Sequence, residues 1–172
     1  MIGSVTTGNL PENSTSFYGI YKAAVAGTTA ISNNTLGSLV TANSINALSA
    51  STGIRSAQRL YGIYNEGTGT ITVSGNTISN ITNGTTNPNP GTPGLVNGIT
   101  SISGTCAIND NSIHDLTISC TNNVANNRAS STGIALTGST LKTVTGNVIY
   151  YLSNSCNNYT GFVIGIYFTG NT

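Results

Sequence analysis

Aliphatic residues return along this chain in one short register around an asparagine. The register reads Ile31, Asn34, Leu36, Leu39; then Val73, Asn76, Ile78, Ile81; then Ile108, Asn111, Ile113, Leu116; then Val144, Asn147, Ile149, Leu152. In each copy an aliphatic stands three positions before the asparagine, and others stand two and five after it. The opening Ile2-Gly3-Ser4-Val5 matches Leu36-Gly37-Ser38-Leu39 as a partial copy. The asparagines are 42, 35 and 36 residues apart. A fixed motif at such a period marks a solenoid, in which one repeat cannot bury its apolar face alone and stacking neighbours supply the core.

A second anchor precedes each asparagine: Gly19-Ile20, Gly62-Ile63, Gly98-Ile99, Gly133-Ile134, and finally Gly165-Ile166. The glycine-to-asparagine distance is 15, 14, 13 and 14 residues in the four complete copies. Ala30, Thr72, Ala107 and Thr143 alternate with Ile31, Val73, Ile108 and Val144, the period-2 pattern of a strand. The residue before each asparagine is Asn33, Gly75, Asp110 or Gly146, types that tolerate the positive φ of a tight corner. These features predict about three short strands per repeat and an all-β chain. The expected fold is a right-handed parallel β-helix (β-solenoid) of about five coils, with loop extensions at one corner. The 172 residues form one segment, 1–172, with repeats at approximately 1–34, 35–76, 77–111, 112–147 and 148–172. Identical strands one coil apart pair in parallel, so Ile63, Ile99, Ile134 and Ile166 should form one interior column. Asn34, Asn76, Asn111 and Asn147 should form a structural ladder, because an amide side chain can donate and accept between coils.

The variable stretches, such as 83–94 and 122–131, are rich in Pro, Gly, Asn and Ser and read as loops leaving one corner. Strings such as Tyr61-Gly-Ile-Tyr-Asn-Glu-Gly-Thr-Gly-Thr-Ile-Thr-Val-Ser-Gly-Asn-Thr-Ile-Ser-Asn-Ile81 resemble the right-handed parallel β-helix repeats of very large secreted bacterial surface proteins, chiefly of the Bacteroidota, many of which end in a type IX sorting domain. The resemblance covers essentially the whole chain. It implies an extracellular or cell-surface location and an adhesive or structural role; no cofactor is expected.

Composition narrows the chemistry. Only 5% of residues are charged and the net charge is +1, which argues against nucleic acid as a partner. No apolar run approaches the ~18 residues of a membrane span. Pectate lyases and polygalacturonases share the parallel β-helix, yet they depend on clustered carboxylates. Here the four acids are Glu12, Glu66, Asp110 and Asp115. The densest spot, Asp110-Asn-Ser-Ile-His114-Asp115, has the residue types of an acid/base or metal site. The favoured account is structural: Asp110 takes the corner position, and His114-Asp115 matches Ser79-Asn80 and Tyr150-Tyr151 as an exposed pair. No catalytic, metal or cofactor residue is assigned, and the chain is expected not to be an enzyme; the alternative is a carbohydrate-binding or carbohydrate-active, pectate-lyase-like β-helix protein.

Tyr21, Tyr64 and Tyr167 follow Gly-Ile, and Tyr150 and Tyr151 are adjacent; these are the candidates for stacking on glycans. A Thr array for ice is interrupted by Ala30 and Ala107. Cys120 and Cys156 occupy equivalent positions and are a candidate disulfide pair, while Cys106 reads as a packing residue. The chain starts and stops part-way through a repeat. Its expected partners are therefore itself, end to end in a growing fibre, or flanking repeats of a longer polypeptide, with surface glycans as the alternative.

Overall fold

A computed structural model describes residues 1–7, 14–23, 25–49, 57–85, 87, 94–119, 125–126, 128–155 and 161–170. Among these the secondary structure is all β, with no helix, and forms a parallel β-solenoid of about four turns. The first sheet holds β1 (Val5–Thr7), β4 (Thr35–Leu36), β5 (Ile45–Ser49), β8 (Thr77–Thr85), β11 (Ser112–Ile118) and β14 (Val148–Asn154). The second holds β2 (Ser16–Lys22), β6 (Arg59–Asn65), β9 (Leu95–Ser101), β12 (Ser131–Thr137) and β15 (Val163–Thr169). The third holds β3 (Thr28–Ser32), β7 (Thr70–Ser74), β10 (Cys106–Asn109) and β13 (Lys142–Thr145). The chain visits the three sheets in turn, and every strand pairs in parallel with its counterpart one coil away.

Like therefore lies on like. Ile63 pairs with Ile99, Ile99 with Ile134, and Ile134 with Ile166. Ile78, Ile113 and Ile149 form a second column, and Ile81, Leu116 and Leu152 a third. Ile78 and Ile81 are three residues apart, yet both are buried inside. Strict alternation would put them on opposite faces. The residue just before the second aliphatic resolves this: Asn80, Asp115 and Tyr151 all have a left-handed backbone, with φ of 54°, 53° and 50°. The bend turns the strand so that both aliphatics face the core.

The Gly-Ile anchors have a steric cause. A Cβ on Gly98 would lie 2.5 Å from Ile113 Cγ2 and 2.7 Å from the Gly133 carbonyl oxygen. Gly62 and Gly133 are equally hemmed in by Ile78 and Ile149 and by the next glycine carbonyl. The missing side chain lets the aliphatic two residues after the asparagine fill the centre of the coil.

At the corner between the third and first sheets stand the four asparagines. Asn34 Nδ2 donates to Asn76 Oδ1 at 3.0 Å, Asn76 Nδ2 to Asn111 Oδ1 at 2.9 Å, and Asn111 Nδ2 to Asn147 Oδ1 at 2.8 Å. Each of these Oδ1 atoms also accepts the backbone N–H of the preceding asparagine at 2.9 Å. The amide nitrogens reach carbonyls as well: Asn111 Nδ2 lies 3.0 Å from Val73 O and 3.0 Å from Asn109 O. Asn76 and Asn111 are buried, so these bonds replace water. The preceding residues Asn33, Gly75, Asp110 and Gly146 are all left-handed, with φ of 57°, 64°, 55° and 66°. Side chain and glycine alternate there because Asp110 lies over Gly146: a Cβ on that glycine would sit 2.1 Å from Asp110 Oδ1.

Two expectations need correction. Leu39 does not continue the aliphatic column; Ile45 pairs with Ile81, and Leu39 is 61% exposed. Leu36 pairs with Ile78, so residues 37–44 fill a gap that only two residues, Ser79 and Asn80, fill one coil later. That insertion accounts for the long first period. It leaves from the middle of the first sheet, not from the corner assigned to the loops, and is held down where Ser79 Oγ and Asn80 Nδ2 donate to Ser38 O at 3.0 and 2.8 Å. The corner loops themselves lie for the most part outside the described residues.

Two substitutions test this packing by urea unfolding. Gly98→Ala should destabilise by ~1–3 kcal/mol through overpacking. Gly165→Ala, whose added Cβ meets nothing within 4 Å, should stay within about 0.5 kcal/mol of wild type. Asn111→Leu strands the buried Asn76 backbone N–H, whose acceptor is Asn111 Oδ1, and should cost about 1–3 kcal/mol.

Candidate functional site

The outward side of the second sheet carries most of the aromatic surface. β2 and β6 share the string Tyr-Gly-Ile-Tyr in register, so Tyr18 pairs with Tyr61 and Tyr21 with Tyr64. Tyr18 stacks on Tyr61 at 5.1 Å between centroids, and Tyr21 on Tyr64 at 5.8 Å, with interplanar angles of 12° and 4°. Along β6, Tyr61 and Tyr64 meet at 4.7 Å with their planes tilted by 57°. The result is a two-by-two block of rings in which offset and tilted contacts each add a little to plain area burial. The sequence offered Tyr21 and Tyr64; Tyr18 and Tyr61 were missed, although the doubled Tyr-Gly-Ile-Tyr was there to be compared.

The rings stop after β6. In β9 the positions over Tyr61 and Tyr64 are Asn97 and Thr100, and in β12 they are Thr132 and Ala135. These shorter side chains leave a cleft of about 190 Å³, lined by Arg59, Tyr61, Tyr64, Leu95, Asn97, Thr100, Ile102 and Arg128. Asn97 Nδ2 donates to Thr100 Oγ1 at 3.0 Å, so the floor is polar and internally bonded. The two arginines are exposed, and both act electrostatically on Tyr61. Arg59 has no hydrogen-bond or ion-pair partner among the described residues. Arg128 comes from the turn before β12, and nothing in the sequence linked it with Arg59.

Burial and hydrogen bonding both shape the phenol chemistry. Desolvation pushes the Tyr61 hydroxyl up to about 12, against the partial opposition of Arg59 and Arg128. Desolvation also raises Tyr64. Tyr21 is raised to about 12 chiefly because its hydroxyl donates to the Glu66 carboxylate. Glu66 also raises Tyr64 electrostatically, and it is not among the cleft-lining residues.

The other candidates are scattered. Tyr167 pairs with Ala135 and is three coils from Tyr64, so it does not join the block. Tyr150 and Tyr151 lie on the first sheet, edge to face at 5.0 Å. His114 is not the exposed residue expected. It is only 8% exposed, because its ring stacks on Tyr150 at 4.6 Å, and its Nδ1 lies 2.6 Å from Asp115 Oδ2. Asp110 remains at its corner over Gly146. No group of three or more metal-binding side chains occurs among the described residues. Cys106 is a buried free thiol, raised by desolvation, paired in register with Ile71 and Lys142. Lys142 bonds to the Ser103 and Gly104 carbonyls. Glu12, Cys120 and Cys156 lie outside the described residues, so the disulfide candidate does too. Sequence reading also missed Gln58 and Asn83, which close the corner before the second sheet: Gln58 Nε2 donates to Asn83 Oδ1 at 2.8 Å, and Asn83 Nδ2 to the Gln58 and Leu95 carbonyls at 2.9 Å.

Comparison with protein-family models, curated proteins and solved structures found no match for this chain.

The buried phenol predicts a direction of pH dependence. An unfolded tyrosine ionises near 10, whereas folded Tyr61 holds its proton to about 12. The stabilising difference is present below pH 10 and is lost as pH rises from 10 through 12. Alkaline unfolding followed by circular dichroism should therefore begin at a higher pH in Tyr61→Phe, which has no such proton to lose.

Proposed function

We propose that the chain is a non-catalytic, extracellular or cell-surface β-solenoid segment with a structural and adhesive role, whose exposed last coil is covered by a further coil of the same kind. One column supports this best. Ile63, Ile99 and Ile134 are at most 1% exposed, while Ile166, the same residue at the same position, is 51% exposed. Phe168 and Val163 on β15 are exposed beside it, as are Val148, Tyr150 and Tyr151 on β14. An open parallel strand with unpaired backbone groups and apolar side chains invites strand addition. A net charge of +1 offers little repulsion against it. The covering coil comes from flanking repeats or from another copy joined head to tail, a non-closing contact that grows into a fibre. The resemblance to secreted repeats of Bacteroidota surface proteins supports the location.

The three carboxylates among the described residues favour a non-catalytic role by what they do. Glu66 accepts from Tyr21, Asp115 engages His114, and Asp110 packs over Gly146. A second reading, carbohydrate binding, is favoured by the tyrosine block with its open, polar-floored cleft, a combination of apolar faces and hydrogen-bonding groups that suits a small polar ring.

Light scattering over a concentration series tests self-stacking. The wild-type chain should form assemblies that grow with concentration. Ile166→Lys combined with Phe168→Lys should stay monomeric with an unchanged far-ultraviolet circular dichroism spectrum. A wild-type chain that is monomeric at high concentration removes the self-stacking form of the proposal.

A further inference from the structure

The cleft beside Tyr61 and Tyr64 is a vacant place in an aromatic stack. Columns in this solenoid repeat coil after coil, and two of them begin with rings: Tyr18 then Tyr61, and Tyr21 then Tyr64. A third pair of rings would fall where Asn97 and Thr100 stand. Their side chains are too short to fill that space, so the faces of Tyr61 and Tyr64 turned toward β9 border the cleft. At about 190 Å³ it is smaller than the ~300–1,000 Å³ typical of pockets for drug-sized ligands. It suits a single ring.

Its lining specifies the ring's chemistry. The aromatic wall takes an apolar face. Asn97 and Thr100 line the cleft with an amide and a hydroxyl group, bonded to each other, that give a ligand's hydroxyls polar groups to face. Arg59 and Arg128 stand at the same cleft, 69 positions apart in the chain. The whole chain has only five Lys and Arg residues. No acid lines the cleft. Planar guanidinium groups match a carboxylate in a forked, charge-assisted geometry.

Resting on the carbohydrate-binding reading above, we propose that this cleft binds one hexuronate unit of an acidic polysaccharide. The sugar ring packs against Tyr61 and Tyr64, its hydroxyls meet Asn97 and Thr100, and its carboxylate is held by Arg59 and Arg128. Nucleic acid fits less well. It needs many cations along a backbone, whereas Lys22 is buried and Lys142 is bonded to carbonyls on the third sheet.

Calorimetric titration of the full chain separates the outcomes. The ligands are a short oligogalacturonide, its methyl ester, a sulfated oligosaccharide, a neutral cello-oligosaccharide and a single-stranded oligonucleotide. The oligogalacturonide should bind, more weakly as salt rises, and at least about tenfold more tightly than its ester. Arg59→Gln and Arg128→Gln should each weaken it about tenfold or more, the loss of one charge-assisted contact, with unchanged melting temperatures. Thr100→Tyr, which fills the vacant place with a third ring, should abolish binding; the arginine variants carry the test if that protein does not fold. Equal binding of acid and ester, or no effect of Arg59→Gln, overturns the uronate assignment while leaving carbohydrate binding standing. Tighter binding of the sulfated sugar or of the oligonucleotide overturns it in favour of that ligand. Binding of none of the saccharides overturns both.

Discussion

Everything in this molecule depends on parallel, in-register stacking of one coil on the next. A strand in such a stack has no freedom to choose its neighbour: each side chain lies over the residue at the same place in the adjacent repeat. Interior positions must therefore hold residues that pack against themselves, and branched aliphatics do so along the Ile63, Ile99 and Ile134 column. Corners must hold polar residues that bond to themselves. Asparagine does this with one side chain, since its oxygen accepts from the coil below while its nitrogen donates both to the oxygen of the coil above and to a carbonyl of the coil below. Where two main chains and an aliphatic crowd the centre, only glycine fits. The three column types are three solutions to one geometric demand.

Because the demand repeats, it is visible in the sequence. The ladder asparagines, the Gly-Ile anchors and the left-handed corner residues can all be located by aligning the chain with itself. What self-alignment handles poorly is departure from the repeat. Leu39 sits at the correct spacing from Asn34 and is still the wrong residue, because a six-residue insertion begins after Leu36 and the next aliphatic at the right place is Ile45. Composition alone cannot choose between two leucine-like candidates; the bonds to Ser38 that pin the insertion can. His114 was misplaced for a related reason. Its neighbour in the column, Tyr150, covers it, and cover by a ring from another coil is not a property of the local sequence.

The cleft shows the same boundary more sharply. Its aromatic wall was half legible, through Tyr21 and Tyr64. Its polar floor lay in the residues that break the tyrosine columns, and breaks in a pattern attract less notice than the pattern. Arg128 belongs to a connecting turn with no repeat counterpart, so only folding brings it to the place where Arg59 stands. A solenoid thus divides its sequence into a scaffold that repeats and exceptions that do not. Chemistry specific to one level of the stack can reside only in the exceptions.

The asparagine column, finally, has a sense of direction. The oxygens of Asn76, Asn111 and Asn147 receive hydrogens from the preceding coil, and each side-chain link between neighbouring asparagines runs from an amide nitrogen forward to the next oxygen. The aligned side-chain dipoles make the corner a polar wire, with acceptors looking one way and donors the other. Two such stacks brought together back to back would set oxygen against oxygen, or hydrogen against hydrogen, at this corner. Only the arrangement that keeps the arrow running the same way continues the bonds. A corner amide chosen to hold a turn therefore also encodes the polarity of any longer rod, in the way that a threaded end accepts a partner from one side alone.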